Sequence, residues 1–301
     1  MLPSSLNGPW AKPHTGAILM YHRIRRTVSD PWRLSVSPEH FDQQLKLLAR
    51  GNVVPLTELP HTPGGIAITF DDGYADNLEI ALPLLEKYRL PATVFVATDA
   101  LRGKEFWWDR AEHSFLGGVR ATGAWRNWFD HPLLRRGRSA ALGIHLRALS
   151  PESLQEALSK MPNVPPADAP ACTHHKMLDE CQLRKLAQSP LIDIGAHTCS
   201  HPCLPRLSEE AQLREVYRSK DLLEKLIGRT IHTFSYPFGA HDDTTVRVVA
   251  RAGFKLACIV GGGLVGPASD SYRLPRLMVR DIDGRIFGHF FRSWKMLRWL
   301  A

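Results

Sequence analysis

The stretch GIAITFDDGY, residues 65–74, joins an apolar run to two adjacent aspartates, Asp71 and Asp72. The run 65–70 predicts a buried strand. Two neighbouring carboxylates repel each other and lose solvation when they are buried. Because successive side chains of a strand point to opposite faces, both acids converge only where the strand ends, and Gly73 has the freedom for a turn there. Taken alone, the stretch is explained most simply by a solvated Asp-Asp-Gly turn.

Strand-like and helix-like segments alternate along most of the chain. The hydrophobic patterns predict strands at 17–21, 65–70, 92–97, 191–195, 231–235 and 255–260, and helices at 38–50, 76–88, 209–227 and 242–252. This rhythm predicts an α/β fold built on a parallel sheet or barrel. Since ligands bind at the carboxyl ends of strands in such folds, the two aspartates lie where a site is expected.

The alternation breaks down between about 101 and 176, where we predict a helical insertion within a single domain that spans residues 1–301. The insertion is basic and contains Trp107, Trp108, Trp125 and Trp128. Aromatic rings beside arginines can stack on sugars or bases. Packing of the insertion against the rest of the domain is the commoner role of such tryptophans.

The last segment, 283–299, predicts a C-terminal helix that mixes aromatic side chains with Arg292, Lys295 and Arg298. One interpretation is an amphipathic helix in peripheral contact with an anionic membrane surface. The commoner outcome is a final helix that packs against its own barrel.

The composition is that of a soluble globular protein, which excludes fibrous and disordered classes. The 301 residues are 44% hydrophobic and 23% charged, and the net charge of +8 suits anionic partners without selecting one. Charge alone favours nucleic acid so weakly that we predict no nucleic-acid partner. Five cysteines without a disulfide-framework spacing, together with an N-terminus unlike a signal peptide, predict a cytoplasmic protein.

A second motif, HTCSHP at 197–202, directly follows the predicted strand at 191–195. His197 and His201 are four residues apart, so on one helical turn both imidazoles would point the same way. One carboxylate and two histidines form a common catalytic metal set that leaves a position open for water. A lone histidine pair at this spacing is weak, but two strand-end motifs with complementary ligands together predict a metal site.

The combination of TFDDGY at 69–74 with HTCSHP resembles the NodB-homology polysaccharide deacetylases, carbohydrate esterase family 4. The resemblance implies a metal-dependent enzyme with a distorted (β/α)7 barrel. It gives Asp71 the role of general base, and Asp72, His197 and His201 the role of metal ligands.

SYPFGA at 235–240 resembles the third motif of the same family. The resemblance implies that Tyr236, Pro237 and Phe238 line the substrate groove. It also implies that the backbone N–H of Phe238 helps to hold the oxyanion.

The sequence departs from the family pattern at three places. Ser235 stands where the third motif usually has an arginine that steadies the base, and Arg276 in RLPRLMV is our candidate substitute. The late Leu-x-His that supplies the general acid has no clear counterpart, since His289 in FGHF is a poor match. The tryptophan of the fourth motif is missing near Asp281 and Asp283.

The N-terminal motif LMYHRI at 19–24 resembles the first strand of the poly-N-acetylglucosamine deacetylase branch, in which the motif order is circularly permuted. That branch uses the histidine of its Tyr-His pair as general acid. We therefore assign this role to His22. A histidine that only donates a hydrogen bond at a strand end is the alternative.

The resemblance implies a hydrolase that removes the N-acetyl group from an N-acetylated carbohydrate, either a polymer or a nucleotide- or lipid-linked precursor. Zinc is the default divalent metal, although cobalt, nickel, manganese and iron accept the same donors. One alternative is a non-catalytic carbohydrate- or membrane-surface-binding protein on the same barrel, suggested by the missing arginine. An iron oxygenase with the same ligands is disfavoured, because it has no need of a base such as Asp71.

Overall fold

A sheet of seven parallel strands organises the protein. The structure is a computed structural model that describes residues 15–27, 30–116, 143, 145–147, 149, 151–160 and 176–296. The strands are β1 (Ala17–Tyr21), β2 (Arg23–Ile24), β3 (Ser35–Val36), β4 (Ile66–Phe70), β5 (Ala92–Val96), β6 (Ile192–Ala196), β7 (Thr233–Ser235), β8 (Leu256–Cys258) and β9 (Leu277–Met278). The helices are α1 (Pro38–Leu48), α2 (Leu82–Tyr88), α3 (Trp107–Leu116), α4 (Pro151–Ser159), α5 (Glu180–Ala187), α6 (Glu209–Ile227), α7 (Asp243–Arg251) and α8 (Gly284–Met296).

The sheet curls into an irregular barrel. Its strand order is β8-β7-β6-β5-β4-β1-β9, and all neighbouring strands are parallel, while β2 and β3 pair separately. The two edges of this order meet through isolated bridges that join Cys258 to Leu274 and Gly261 to Arg276. The α/β prediction, and the distorted barrel that the family resemblance implied, are therefore confirmed.

The strands carry the core because they are buried on both faces. Every residue of β1, β4 and β5 is buried, as expected for parallel strands between helices and a barrel interior. Ile18, Ala67 and Phe95 belong to one apolar cluster with Leu256 of β8. A Cβ atom at Gly195 of β6 would lie 2.3 Å from the Phe95 ring, so only glycine fits there.

Helix limits follow the capping residues. Helix α6 begins after Ser208, whose hydroxyl accepts a hydrogen bond from the Ala211 N–H at 3.3 Å. It ends at Gly228, which has a left-handed backbone (φ 72°). The predicted helix at 209–227 is confirmed, whereas the last two predicted strands are shorter than expected, at three residues each.

The described part of the C-terminal helix α8 packs against α1. The Gly284 N–H donates to Oε1 of Gln43 in α1 at 2.9 Å. Phe287 is 3% exposed and belongs to the main apolar cluster. Ile286 and Phe290, one turn apart, are 55% and 46% exposed. The helix therefore packs on the barrel and also presents apolar side chains to solvent.

Between β5 and α5, the described residues form a short turn at Thr98–Arg102 and the helices α3 and α4. The rest of the predicted insertion, including Trp125 and Trp128, lies outside the described residues. Within the described ranges, none of the helices combines the length and apolar character that crossing a membrane requires.

Candidate active site

The candidate active site lies at the rim where the carboxyl ends of the parallel strands meet. Asp71 and Asp72 follow β4, His197 follows β6, and Ser235 ends β7. A cavity of about 390 Å³ opens at this rim. Among its lining residues are His22, Asp71, Asp72, His197, His201 and Phe238. The topology thus brings together predicted site residues that are far apart in sequence.

The backbone turns immediately after Asp71. The Asp71 N–H still donates to the C=O of Tyr21 in β1 at 3.0 Å, which continues the ladder beyond β4. Asp72 and Gly73 then have left-handed backbones, with φ of 76° and 85°. The turn that the sequence predicted is therefore present, and both Asp72 and Gly73 adopt the left-handed conformation that forms it. This geometry buries both carboxylates at the cavity, with exposures of 3% and 2%.

Arg276 holds both carboxylate oxygens of Asp71. Its Nη1 donates to Oδ1 and its Nη2 to Oδ2, each at 2.7 Å. Nη2 also donates to the Ser235 hydroxyl at 2.8 Å, and that hydroxyl donates to Oδ2 of Asp71 at 3.3 Å. Burial alone would raise the pKa of Asp71, but Arg276 and His197 hold it below its usual range. Arg276 therefore lies against Asp71, where we proposed it, and the Ser235 hydroxyl is hydrogen-bonded to both side chains.

The loop that carries both histidines is not helical, so the predicted helical turn was wrong. Thr198 and His201 have left-handed backbones, with φ of 67° and 58°. The His201 N–H donates to the Thr198 hydroxyl at 3.1 Å, which closes a tight loop. The ring centroids of His197 and His201 are 4.7 Å apart. The two imidazoles do converge as expected, but two left-handed residues rather than a helix bring them together.

One carboxylate and two imidazoles converge on the same space. Oδ1 of Asp72 lies 3.5 Å from Nε2 of His197 and 3.4 Å from Nε2 of His201. One donor atom from each residue lies within 4.8 Å of the others. Nδ1 of His197 donates to the C=O of Ser235 at 2.7 Å, which leaves the Nε2 lone pair free. Burial and the neighbouring His197 lower the pKa of His201 to about 3, so its imidazole is neutral.

His22 lies on the cavity wall directly after β1. The side-chain amide of Asn77 donates to the His22 C=O at 2.9 Å and so fixes the backbone there. Burial lowers the pKa of the imidazole, whereas Asp72 and Asp71 act to raise it. The structure therefore brings His22 to the same cavity as Asp71, and its role as proton donor stays a prediction.

A model of the polysaccharide deacetylase family matches residues 59–123 and 166–257, just over half of the chain. The chain belongs to the polysaccharide deacetylase family. A relative, the poly-beta-1,6-N-acetyl-D-glucosamine N-deacetylase of Staphylococcus aureus (strain MRSA252), is 23% identical over 305 residues. That alignment covers 94% of this chain and 84% of the relative.

Solved structures share the fold of this chain. The Streptococcus pyogenes deacetylase PplD in complex with acetate matches with a TM-score of 0.62 and 21% identity, covering 92% of this chain and 98% of that one. IcaB from Ammonifex degensii matches with a TM-score of 0.62 and 17% identity, covering 94% and 97%. At these identities the likeness establishes the fold.

The third motif of this chain differs from the groove lining that we predicted. Tyr236 is fully buried, its N–H donates to the C=O of Cys258 at 3.1 Å, and its ring packs on Phe234. Pro237 is also buried and, like Tyr236, is not part of the cavity lining. Of the three predicted groove residues, only Phe238 lines the cavity, and its backbone is left-handed (φ 58°). The prediction was wrong for Tyr236 and Pro237, because the β7 ladder continues through Tyr236 before the chain turns.

A tryptophan of the insertion forms part of the wall. Trp108 is 5% exposed, and its ring centroid lies 4.7 Å from that of His201. Its backbone C=O accepts a hydrogen bond from Nε1 of Trp32 at 2.8 Å. Trp32 and Arg280 also line the cavity but were not predicted, because neither belongs to a motif with a chemical signature.

A second group of buried charges lies beside the active site and is called the sealed cluster here: Arg23, Tyr74, Asp109 and Glu112. Each is at most 1% exposed. Nη1 of Arg23 lies 3.6 Å from Asp109 and 3.4 Å from Glu112, and the Tyr74 hydroxyl donates to Asp109 at 2.8 Å. Burial alone would lower the pKa of Arg23, but Tyr74, Asp109 and Glu112 raise it above its usual value. The sealed cluster ties α3 to β2 and was not predicted.

Proposed function

We propose that this chain hydrolyses the acetamide of an N-acetylated carbohydrate and uses a divalent metal to do so. The observation that supports this proposal most is the position of the Asp71–Arg276 pair next to the donor atoms of Asp72, His197 and His201. A base and a ligand set in one cavity are the two parts that metal-assisted hydrolysis requires. The N-deacetylase activity named for the staphylococcal relative gives further support.

The donor set fits a divalent metal. Asp72, His197 and His201 would hold the ion, because two imidazoles and one carboxylate form a familiar three-ligand set. The negative charge of Asp71 is already balanced by Arg276, so Asp72 carries the charge that a cation would balance. When bound, a divalent metal supplies a Lewis acid that polarises the acetyl carbonyl and acidifies water. Zinc is our proposed metal, and elemental analysis of the purified protein distinguishes it from cobalt, nickel, manganese and iron.

The residues of the chain account for both proton transfers. Asp71 takes a proton from the attacking water, and Arg276 keeps that carboxylate ionised and oriented. The water oxygen bonds to the acetyl carbon while the backbone N–H of Phe238 faces the oxyanion. The carbon–nitrogen bond then breaks, His22 gives its proton to the amine, and the products are acetate and an amino sugar.

Acetate release tests this proposal. The metal-loaded protein is incubated with N-acetylglucosamine oligomers, nucleotide-linked N-acetyl sugars and lipid-linked N-acetyl sugars, and acetate is measured. Asp71→Asn should lower the rate by about 10²–10⁴-fold, the usual contribution of a general base. Asp221→Asn is the matched control, because Asp221 pairs with Lys225 on the exposed face of α6. Unchanged acetate release by Asp71→Asn would exclude the assigned base.

A non-catalytic carbohydrate-binding protein remains the alternative proposal. This alternative was suggested by the arginine missing from the third motif. That reason is weakened because Arg276, directly before β9, contacts Asp71. Metal binding and glycan binding without acetate release from any of these substrates would favour the alternative. Acetate release that depends on Asp71 would exclude it.

We also propose a cytoplasmic location with peripheral membrane contact through α8. The exposed apolar pair Ile286 and Phe290 supports membrane contact. Cys181, Cys199, Cys203 and Cys258 are free thiols, which supports a reducing compartment. Co-sedimentation with anionic vesicles tests the contact, and Ile286→Ser with Phe290→Ser should abolish it. Cell fractionation tests the location.

A further inference from the structure

The loop between the two histidines needs support from outside its own sequence. Thr198 and His201 both have left-handed backbones, with φ of 67° and 58°. That conformation is disfavoured for residues other than glycine, and most of all for a β-branched residue such as Thr198. The loop sequence therefore does not select this shape alone, and contacts with the rest of the fold must hold it.

Hydrogen bonds hold the loop from two sides. The C=O groups of Thr198 and Cys199 accept from main-chain N–H groups that follow β5, at 3.1 and 2.9 Å. On the other side, the N–H groups of Cys199 and Ser200 donate to Oε2 of Glu215, at 2.8 and 2.9 Å. Oε1 of Glu215 accepts from the Ser200 hydroxyl at 2.7 Å. One carboxylate thus receives three hydrogen bonds from two adjacent loop residues.

We propose that Glu215 is a positioning residue that sets the affinity of the metal site by clamping the loop between His197 and His201. Glu215 lies in the middle of α6, which the buried Val216 anchors to the core. Hydrogen bonds that Ser200 donates to Glu215 on this fixed helix restrict the motion of Ser200, the residue before His201. Partners of this kind orient metal ligands and strengthen metal binding.

The inference rests on the metal-binding role proposed above and adds the element that preorganises the ligands. Glu215 is not one of the three residues whose donor atoms converge, so its effect must pass through the loop. Loss of the carboxylate should therefore weaken metal binding while the reacting groups themselves stay unchanged.

The test measures metal affinity directly, by competition between the full chain and a chelator for Zn²⁺. Glu215→Ala removes all three hydrogen bonds and should raise the dissociation constant by about 10–100-fold. Glu215→Gln keeps one oxygen for both N–H groups, and its amide can donate to the Ser200 hydroxyl, so its affinity should stay within about threefold of wild type. Saturating Zn²⁺ should restore most of kcat in Glu215→Ala.

Glu224→Ala is the matched control, because Glu224 lies on the same helix and its carboxylate accepts a hydrogen bond from the Ile231 N–H at 3.0 Å. It should lose stability but keep the wild-type metal affinity. Wild-type affinity in Glu215→Ala would overturn the proposal, and so would an equal loss in both alanine variants. A folded Glu215→Gln as weak as Glu215→Ala would also overturn it, because geometry rather than charge is the proposed cause.

Ser200→Ala keeps the proposal testable if Glu215→Ala does not fold. It removes only the bond to Oε1, so a few-fold weaker metal binding is expected and unchanged binding would overturn the clamp. A wild-type protein that binds no metal would instead refute the proposed function. A wild-type protein that binds metal and releases acetate, with variants that bind equally well, would refute only the clamp.

Discussion

Asp71 and Asp109 are both buried carboxylates that face an arginine, yet only Asp71 opens onto the cavity. Asp71 meets Arg276 in two aligned contacts of 2.7 Å. Asp109 shares Arg23 with Glu112 at 3.6 and 3.4 Å, and a hydroxyl of Tyr74 completes the sealed cluster. Burial of charge is common to both regions, so burial by itself does not mark the site of chemistry.

The difference lies in what surrounds each carboxylate. Asp71 adjoins converging metal donors and a cavity of about 390 Å³, whereas Asp109 is enclosed by α3, β2 and Tyr74. A paired carboxylate next to a cavity can exchange a proton with a ligand, and an enclosed one can only hold elements together. We therefore expect changes at the rim to alter turnover and changes in the sealed cluster to alter stability.

The largest expected effect on stability comes from Arg23→Met. This change removes a buried cation that contacts both Asp109 and Glu112, which should lower the free energy of unfolding by about 3–5 kcal/mol. Urea denaturation measures the loss. Arg26→Met is the matched control, because Arg26 pairs with Glu39 at the surface, with its side chain 77% exposed. The control should change stability by less than about 0.5 kcal/mol.

The rate of acetate release per folded molecule is then compared between Arg23→Met and Asp71→Asn. If Arg23→Met keeps its stability but loses turnover as severely as Asp71→Asn, the proposed division between the two regions is wrong.

Asp76, next to the sealed cluster, should give stability a pH dependence. Burial raises its pKa from 3.8 to about 6, although the Ile24 N–H, Arg23, Arg25 and the Asn77 amide oppose the shift. The folded chain thus binds this proton more tightly than the unfolded chain does. The contribution of Asp76 therefore falls as the pH rises from about 4 to 6, by up to about 3 kcal/mol.

In the wild type, the Ile24 N–H donates to Oδ1 of Asp76 at 3.1 Å. Asp76→Asn removes the titration of this side chain and keeps an oxygen that can accept the same hydrogen bond. The variant should match wild type in urea denaturation near pH 4 and exceed it in stability above pH 6. A stability difference that does not change between pH 4 and pH 7 would contradict the raised pKa.

At the rim, Arg276→Lys should lower kcat/KM by roughly 10–100-fold. Lysine keeps the positive charge but not the two parallel hydrogen bonds, and one hydrogen bond to a charged group contributes about 1.5–3 kcal/mol. Kinetic constants for acetate release measure the effect. Arg273→Lys is a suitable control, because Arg273 pairs with Asp270 and Asp243 away from the cavity. Equal losses in both variants would show that the bidentate geometry at Asp71 is not what matters.

Arg276 also shows where inference from sequence ends. The motifs predict that Asp71, Asp72, His197 and His201 meet, because the carboxyl ends of parallel strands share a rim. The bidentate contact of Arg276 depends on the seam where the barrel closes, and the isolated bridge between Arg276 and Gly261 is part of that seam. No local pattern encodes such a bridge, so the sequence suggested that Arg276 steadies the base but not the two aligned hydrogen bonds to Asp71.

The other differences between the predictions and the structure also have physical causes. The four-residue spacing of His197 and His201 suggested a helical turn that the structure lacks. The left-handed backbone of Thr198 was not expected, because that conformation is disfavoured for a β-branched residue. Glu215 looks like any acid on an amphipathic helix, and only its distance to Cys199 and Ser200 identifies it. Tyr236 was assigned by its place in a motif, whereas its contacts follow from how far the β7 ladder continues.

Tyr74 links the two regions, and its replacement should have the smallest effect. Its hydroxyl donates to Asp109 and accepts from Nε1 of Trp108 at 2.9 Å, and the ring of Trp108 packs against His201. Tyr74→Phe should lower the free energy of unfolding by about 1–2 kcal/mol, because the buried Asp109 carboxylate and the Trp108 Nε1–H each lose one hydrogen bond. Since Trp108 forms a wall and does not react, KM should rise by a few-fold while kcat stays near wild type.

Tyr272→Phe provides the comparison for Tyr74→Phe, because the Tyr272 hydroxyl donates to the C=O of Phe254 at 3.0 Å, away from the cavity. It should lose a similar or smaller amount of stability and leave both kinetic constants unchanged. A fall in kcat for Tyr74→Phe as large as the roughly 10–100-fold loss of kcat/KM expected for Arg276→Lys would mean that the sealed cluster takes part in turnover. A rise in KM alone would instead mean that the cluster influences the site only through the position of Trp108.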